Sequence, residues 1–402
     1  MCGIAGYIGT RDIPPERIER CLSLMRRRGP DHAAWKHWRH SGGRQTYLLH
    51  TRLNIIDLDE RANQPFHAEP LWMAFNGELY NYLELKAELE AWGERFTTQS
   101  DTEVFLRAIR RFGWEGLDQC EGMWALAVYD EPEGALTLAR DRFGEKPLFL
   151  HRAADGVYFG SEPKMIFALL GRRLPVNIDH LYRYLVNGYK ALYKAGHTFF
   201  EGLEELPRAT TLRIGADGRE CAQAYWQPAL AQQASLSYDE AVASVRTQLI
   251  RAVELRLRAD VPLAFCMSGG IDSLTLISIA KRVFNYDVHG FTFVNEDPRY
   301  DEQEMVEHAV QRLGLRHTEV RADRATFLDQ LRALVAYHDA PVFTISYFVH
   351  WLVLEAIARQ GYKISISGTG ADELFTGYYD HHLAYLYEVR GEPALHAASR
   401  EA

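Results

Sequence analysis

Residues 262–273 read Pro262-Leu263-Ala264-Phe265-Cys266-Met267-Ser268-Gly269-Gly270-Ile271-Asp272-Ser273. An unbroken apolar run of this length, without alternation, fits a strand buried on both faces, as in a parallel sheet. The Ser-Gly-Gly turn ends it, and Asp272 and Ser273 open a helix. Glycines there let backbone N–H groups approach an anion, and a helix N-terminus favours negative charge. Upstream, a capping box, Ser237-x-x-Glu240, starts a helix with Val242, Val245, Leu249 and Val253 at helical spacing. Downstream the pattern alternates: strand 288–294, helix 301–313, strand 318–320, helices 324–337 and 346–359, strand 363–367. Repeated βα units predict an α/β domain with a parallel sheet wrapped by helices, its chemistry at the carboxyl ends of the strands where the sheet order reverses.

The last of these strands runs into Ser367-Gly368-Thr369-Gly370-Ala371-Asp372-Glu373, a second glycine-rich strand end carrying acids. Asp272 or Asp372 alone reads as a helix N-cap. Together, on two such ends, they can ligate Mg²⁺, which takes hard oxygen ligands and substrate phosphates. The GxxxxGK[ST] pattern is absent, which disfavours γ-phosphate transfer.

The first 200 residues have a different texture. Short β-branched or aromatic runs at 47–57, 71–80, 124–129, 135–140, 148–152 and 157–160 read as strands, with Asp155-Gly156 as a hairpin turn. Helices are expected at 14–27, 82–92 and 102–112. The expectation is a mixed α+β layer structure, mostly antiparallel. Gln227–Leu236, rich in Ala and Gln, is expected to be a flexible joint.

Composition narrows the function classes. The 402 residues carry a net charge of −9 with no basic run, against nucleic-acid binding, and no apolar run of membrane-spanning length. No secretory signal is visible. The five cysteines, Cys2, Cys21, Cys120, Cys221 and Cys266, form no CxxC clip, which fits free thiols in a reducing cytoplasm. His381-His382 are adjacent on an expected helix and diverge, and His338-Asp339-Ala340-Pro341 reads as a helix terminus.

The chain begins Met1-Cys2-Gly3-Ile4. With Met1 removed, Cys2 would carry both a thiol and an α-amino group, and an amine titrating near ~8 can act as its own thiol's base. Other polar groups suit an amide substrate with an amino-acid head. Arg52 offers a planar fork for a carboxylate. Asp101 offers an anion for an amine, although Ser100-Asp101 also reads as a plain N-cap. The Asn76 side chain with the Gly77 N–H can form an oxyanion hole, although Asn76-Gly77 also reads as a bulge.

These pieces carry a resemblance. MCGI, RGPD (Arg28–Asp31), TRL (Thr51–Leu53), NQP (Asn63–Pro65), NGE (Asn76–Glu78), SDTE (Ser100–Glu103), RDRFGEKPL (Arg140–Leu148) and FGSEPK (Phe159–Lys164) resemble, in order and spacing, the class II glutamine amidotransferase domain of the glutamine-hydrolysing asparagine synthetase family. SGGIDS, the Asp301–Glu304 segment and GTGADE resemble its ATP-pyrophosphatase-type synthetase domain. The resemblance implies an N-terminal-nucleophile hydrolase domain of layered αββα form (2–205), connecting strands and a linker (206–235), and an adenine nucleotide alpha-hydrolase-like ATP domain (236–402). It implies Cys2 as nucleophile, glutamine held by Arg52, Asn76, Gly77, Glu78 and Asp101, and an oxyanion hole of Asn76 and Gly77. It places pyrophosphate on Ser268, Gly269, Gly270, Asp272 and Ser273, adenine near Phe293 and Val294, the α-phosphate near Ser367 and Gly368, and Mg²⁺ on Asp272 and Asp372. The implied partners are glutamine, ATP and aspartate or another small carboxylate; a homodimer is allowed.

Two departures shape the expectations. Thr369 stands where asparagine-making members carry a glutamate, and a neutral Thr cannot act as a carboxylate base. Relatives that amidate sugar acids resemble this version, so a sugar uronate is an alternative acceptor. The chain also stops about thirty residues after GTGADE, before the helical segment that supplies a lysine to the family's adenylate site. A C-terminally truncated protein that binds ATP or senses glutamine without synthesis is therefore a further expectation.

Overall fold

The computed structural model describes residues 1–401 except 41, 190, 191, 193–195 and 230–234. In chain order the first half runs β1 (Gly3–Gly9), α1 (Pro15–Met25), β2 (His32–Arg39), β3 (Gln45–Arg52), β4 (Phe66–Ala68), β5 (Leu71–Leu79), α2 (Tyr82–Ala91), α3 (Asp101–Phe112), β6 (Gly122–Asp130), β7 (Ala135–Arg140), β8 (Phe149–Ala153), β9 (Gly156–Gly160), α4 (Pro163–Leu170), α5 (Ile178–Asn187), β10 (Leu203–Glu205), β11 (Thr210–Ile214) and β12 (Glu220–Ala224). The second half runs α6 (Tyr238–Arg256), β13 (Leu263–Cys266), α7 (Ile271–Arg282), β14 (His289–Phe293), α8 (Gln303–Leu313), β15 (Arg316–Val320), α9 (Phe327–His338), α10 (Ile345–Arg359), β16 (Ile364–Ile366), α11 (Ala371–Phe375), α12 (Tyr379–Glu388) and α13 (Pro393–Glu401).

The chain forms two compact units. One holds residues 1–243 together with 258–261 and 324–348; the other holds 244–257, 262–323 and 349–402. In the first, two six-stranded antiparallel sheets lie face to face, ordered β10-β8-β9-β1-β3-β2 and β12-β11-β7-β6-β5-β4. Ile4, Ile8, Leu48, Ala125, Tyr129 and Phe159 fill the layer between them. α1 and α4 cover the outer face of the first sheet through Ile18, Met25, Met165 and Leu169. α2 and α3 cover the second through Leu85, Leu89, Phe105 and Ile109. This is the expected α-β-β-α layering. Its central strands are covered on both faces, so β1, β3 and β7 are buried at every residue and show no alternation.

The second unit carries a parallel four-stranded sheet, ordered β15-β14-β13-β16. Chain order runs outward from β13 to β15, then returns to β16 on the other side of β13. The reversal lies between β13 and β16, whose carboxyl ends carry SGGIDS and SGTGADE.

Four strands, β1, β2, β4 and β10, have no counterpart in the sequence reading. Gly3, Gly6 and Gly9 dilute the β-branched signal of β1, and Lys36, His37 and Arg39 hide β2. The expected strand at 47–57 ends at Arg52, because the Arg52 guanidinium gathers the carbonyls of Ile56, Asp57 and Asp59 around itself and turns residues 53–59 into a loop. β11 pairs with β7, so the connecting strands complete a sheet of the first unit. The core of the expected joint, 230–234, lies outside the described residues. No described helix is long and apolar enough to cross a membrane.

Candidate functional site

Cys2 precedes β1, where the pairing of Gly3 with Thr51 sets it beside Arg52 and Leu53. Its Sγ accepts the Leu53 N–H at 3.3 Å, and its carbonyl accepts the Arg28 Nε–H at 2.9 Å. Burial pushes the thiol pKa up, so the thiol needs a base before it can attack. Burial pushes the neighbouring α-amino group at Met1 down to about 6.

The cavity over Cys2 is lined by Arg52, Gly77, Glu78 and Asp101, with Leu53, Gln64 and Ser100 among the other walls. Its volume is about 30 Å³, room for one water. The 53–59 loop walls it through Leu53, Ile55 and Ile56. Arg52 is tied to that loop: Nη1 donates to the Asp59 carbonyl and to Asn63 Oδ1, both at 3.0 Å, and Nη2 donates to the Asp57 carbonyl. Its fork is occupied by the wall it supports.

Asp101 opens α3. Its Oδ2 accepts the Leu79 N–H at 3.0 Å, while Ser100 caps the helix by accepting the Thr102 N–H at 3.2 Å. Ser100 is thus the N-cap, and Asp101 lines the cavity. Burial lifts the Asp101 carboxyl to about 6, held back by these N–H groups and Arg52. Burial, then the Asp101 charge, lifts Glu78 to about 7.

Asn76 is fully buried in β5, and neither its Oδ1 nor its Nδ2 has a hydrogen-bond partner among the described residues. Such a group costs folding free energy on the order of 1–3 kcal/mol. Its side chain shares a face of β5 with Ala74 and with Glu78, and Asn76 is not itself among the cavity walls. Gly77 is required by close approach: a Cβ there would lie 2.0 Å from the Met123 carbonyl oxygen on β6.

Two residues near this site went unread in the sequence. His50, opposite Ile4 on β3, bonds the Phe75 carbonyl through Nε2 at 3.1 Å, and burial drives its pKa to about 3. Lys146, inside the RDRFGEKPL run, is buried near the chain's start with its ammonium 3.2 Å from Met1 Sδ. His50 showed only as a polar residue in an apolar stretch, and Lys146 only as one of several charges in its run.

In the second unit, Ser268 and Ser273 close the loop after β13: their hydroxyls are 2.9 Å apart, and the Ser268 N–H donates to Ser273 Oγ at 3.1 Å. The Gly270 N–H donates to Ser268 Oγ at 3.2 Å, and the Gly269 N–H donates to Glu302 Oε2 at 2.9 Å. Gly368 lets the two strand ends touch: a Cβ there would lie 2.9 Å from Ser273 N and 3.0 Å from Asp272 Cβ. Asp272 is in the first turn of α7 and Asp372 in the first turn of α11. These two hard oxygen donors at adjoining strand ends fit an ion that completes its shell with phosphate and water oxygens. No cluster of three or more His, Cys, Asp or Glu placed for a metal occurs among the described residues, and His381 and His382 lie on α12 outside any such group. Phe293 ends β14 and Val294 follows it, its N–H committed to the Val320 carbonyl. Ser367 Oγ donates to Thr369 Oγ1 at 3.1 Å.

The αββα layers around the Cys2 cavity define the class of the first unit, a glutamine amidotransferase domain, whose profile matches residues 1–226. The asparagine synthase profile matches residues 244–402, and the chain belongs to the glutamine-hydrolysing asparagine synthetase family. It is 30% identical to asparagine synthetase [glutamine-hydrolyzing] 1 of Bacillus subtilis over 94% of this chain and 59% of that protein. It is equally 30% identical, with the same coverage, to amidase chry2 of Gibberella zeae. The chain thus spans about three fifths of the length of these curated relatives. The solved glutamine phosphoribosylpyrophosphate amidotransferase of B. subtilis aligns at a TM-score of 0.41 and 15% identity, over 82% of this chain and 70% of that one.

Proposed function

We propose that this chain is a glutamine-dependent amidotransferase with two sites, residues 2–205 hydrolysing glutamine and residues 236–402 activating a carboxylate with ATP. The observation that carries the reading is the cavity where Cys2 meets Gly77, Glu78, Asp101 and Arg52. After Met1 is removed, the Cys2 amine takes the thiol proton and the thiolate attacks the glutamine carboxamide carbon. Asn76 and the Gly77 N–H receive the oxyanion; the buried, unpartnered Asn76 amide supports this, since it has hydrogen-bonding capacity to give. Collapse releases ammonia, and water cleaves the thioester to glutamate. Asp101 and Glu78 hold the substrate ammonium, and Arg52, with the loop it supports, faces the carboxylate. In the ATP domain, Ser268–Ser273 cradle pyrophosphate, Ser367 and Gly368 meet the α-phosphate, and Phe293 and Val294 flank adenine. A Mg²⁺ ion held by Asp272 and Asp372 would neutralise phosphate charge. The nominal acceptor is aspartate, giving asparagine, AMP and pyrophosphate, in a cytoplasmic enzyme.

The test is paired assays of the full chain with glutamine and with ammonium as nitrogen source. Cys2→Ala should abolish glutamine use and leave ammonia-dependent pyrophosphate release intact. Equal loss of both overturns the two-site reading.

One observation favours a second acceptor class. Thr369 presents a hydroxyl bonded to Ser367 where a carboxylate base would be needed, which suits a sugar uronate or other small carboxylate. Pyrophosphate release screened over acceptors separates the two, and strong aspartate dependence eliminates the second.

A further inference from the structure

We propose that Lys164 and Asp339 are positioning residues for the Cys2 nucleophile, acting through Glu162 and Arg28. The inference rests on the glutaminase reading above.

The four residues form a chain of alternating charge inside the first unit. Arg28 Nε holds the Cys2 carbonyl at 2.9 Å, and its Nη1 meets Glu162 Oε1 at 2.8 Å. Glu162 Oε2 meets Lys164 Nζ at 2.9 Å, and Lys164 Nζ meets Asp339 Oδ2 at 3.2 Å. All four side chains are at least 85% buried, from 5% exposure at Asp339 to 15% at Lys164. In that setting a charge without its partner is strongly unfavourable, so the geometry of each pair constrains the next.

The far end of the chain is held as firmly as the near end. Lys164 Nζ also donates to the Tyr337 carbonyl at the C-terminus of α9, where a cation complements the helix dipole. Its ammonium lies 4.5 Å from the Tyr337 ring centroid, and the Arg27 guanidinium lies 5.6 Å from the same centroid. Asp339 caps α9 with φ +56°, a left-handed conformation that Asp adopts more readily than most residues. Ending the helix there brings its carboxylate onto Lys164. Residues 324–348 lie in sequence within the asparagine synthase match, yet they belong to the compact unit that contains Cys2.

The consequence is directional. Arg28 fixes the peptide that carries the nucleophile, Glu162 orients Arg28, and Lys164 is shared between Glu162 and Asp339. Removing the Asp339 charge leaves Lys164 to Glu162 alone and draws that carboxylate away from Arg28. Cys2 then loses its alignment while the glutamine-holding residues on β5 and α3 stay in place. A purely anchoring pair would change melting temperature and leave the chemistry of Cys2 untouched.

The experiment compares the full chain with Asp339→Asn, Lys164→Met and Lys164→Arg. Glutaminase kcat and KM are measured with the rate of Cys2 alkylation by iodoacetamide, read by peptide mass spectrometry so that exposed Cys221 is scored separately. Asp339→Asn and Lys164→Met should each lower kcat and slow Cys2 alkylation by about tenfold or more, as sub-ångström to ångström misplacement does, with KM nearly unchanged. Lys164→Arg, which keeps the charge, should retain most of both. Wild-type kcat and alkylation in the two neutral variants overturns the proposal, as does a loss confined to KM or melting temperature. If Asp339→Asn does not fold, Lys164→Met decides the same question. A wild-type chain without glutaminase activity refutes the function proposed above, and the alkylation comparison then judges this inference separately.

Discussion

The main-chain N–H of Asp57 donates to the Asp260 carboxylate at 2.7 Å, and the Asp260 N–H returns a bond to the Ile55 carbonyl at 2.9 Å. This pair fastens the loop that walls the Cys2 cavity to a residue just ahead of β13. The Asp57 carboxylate is engaged on both oxygens, with the N–H groups of Asp59 and Gln99. Asp260→Ala removes one bond to a charged acceptor and leaves the return bond. The expected result is a rise of about tenfold in glutamine KM, with faster alkylation of Cys2 by iodoacetamide. Steady-state kinetics and peptide mass spectrometry check both.

Asp101 and Glu78 should be functional at a cost in stability. Their folded pKa values, about 6 and about 7, lie above the ordinary 3.8 and 4.5. The folded chain therefore holds more protons than the unfolded chain between roughly pH 4 and 7, so their contribution is most favourable below that window and is lost as pH rises through it. Asp101→Asn and Glu78→Gln should each stabilise the protein at pH 8, by on the order of 2 kcal/mol in urea melts, with little gain at pH 4. In the wild type, glutamine KM should fall between pH 5 and 8 as the two groups ionise.

Gly77→Ala should be severe for a steric reason. Its Cβ would meet the Met123 carbonyl at 2.0 Å, and β5 and β6 cannot separate there without breaking the ladder between Asn76 and Ala125. A loss of roughly 3 kcal/mol or more is expected in urea melts, with glutaminase activity gone.

Glu302→Gln tests the phosphate loop. Glu302 Oε2 accepts the Gly269 N–H that an incoming phosphate oxygen would use. Neutralising it should tighten pyrophosphate binding several-fold in calorimetry, and the gain should shrink at high salt as screening weakens the repulsion. Unchanged or weaker affinity would assign Glu302 a supporting role in the loop instead.

The sequence was most readable where spacing and chemistry coincide. The run 262–273 foretold β13, its glycine turn and α7, because an apolar strand and a helix start leave local marks. Ser100 and Asp101 were readable as a pair, although which one caps and which one faces the cavity depends on side-chain direction. Gly3, Gly6 and Gly9 concealed β1, since glycine scores against strands even where close packing demands it. Asp339 looked like a helix end and is one, but its approach to Lys164 joins residues 175 positions apart, and no local pattern encodes that. The loop formed around Arg52 is illegible for the same reason, because the guanidinium's partners are backbone carbonyls, which every residue has.

β1 lies in the interior of its sheet, between β3 and β9. During synthesis it cannot be enclosed until residues 156–160 have emerged, on the order of 10–30 s after β1 itself at ordinary elongation rates. The strand that leads on from Cys2 therefore stays open on one side through most of the synthesis of the first unit, and slowing translation of that half would lengthen the wait.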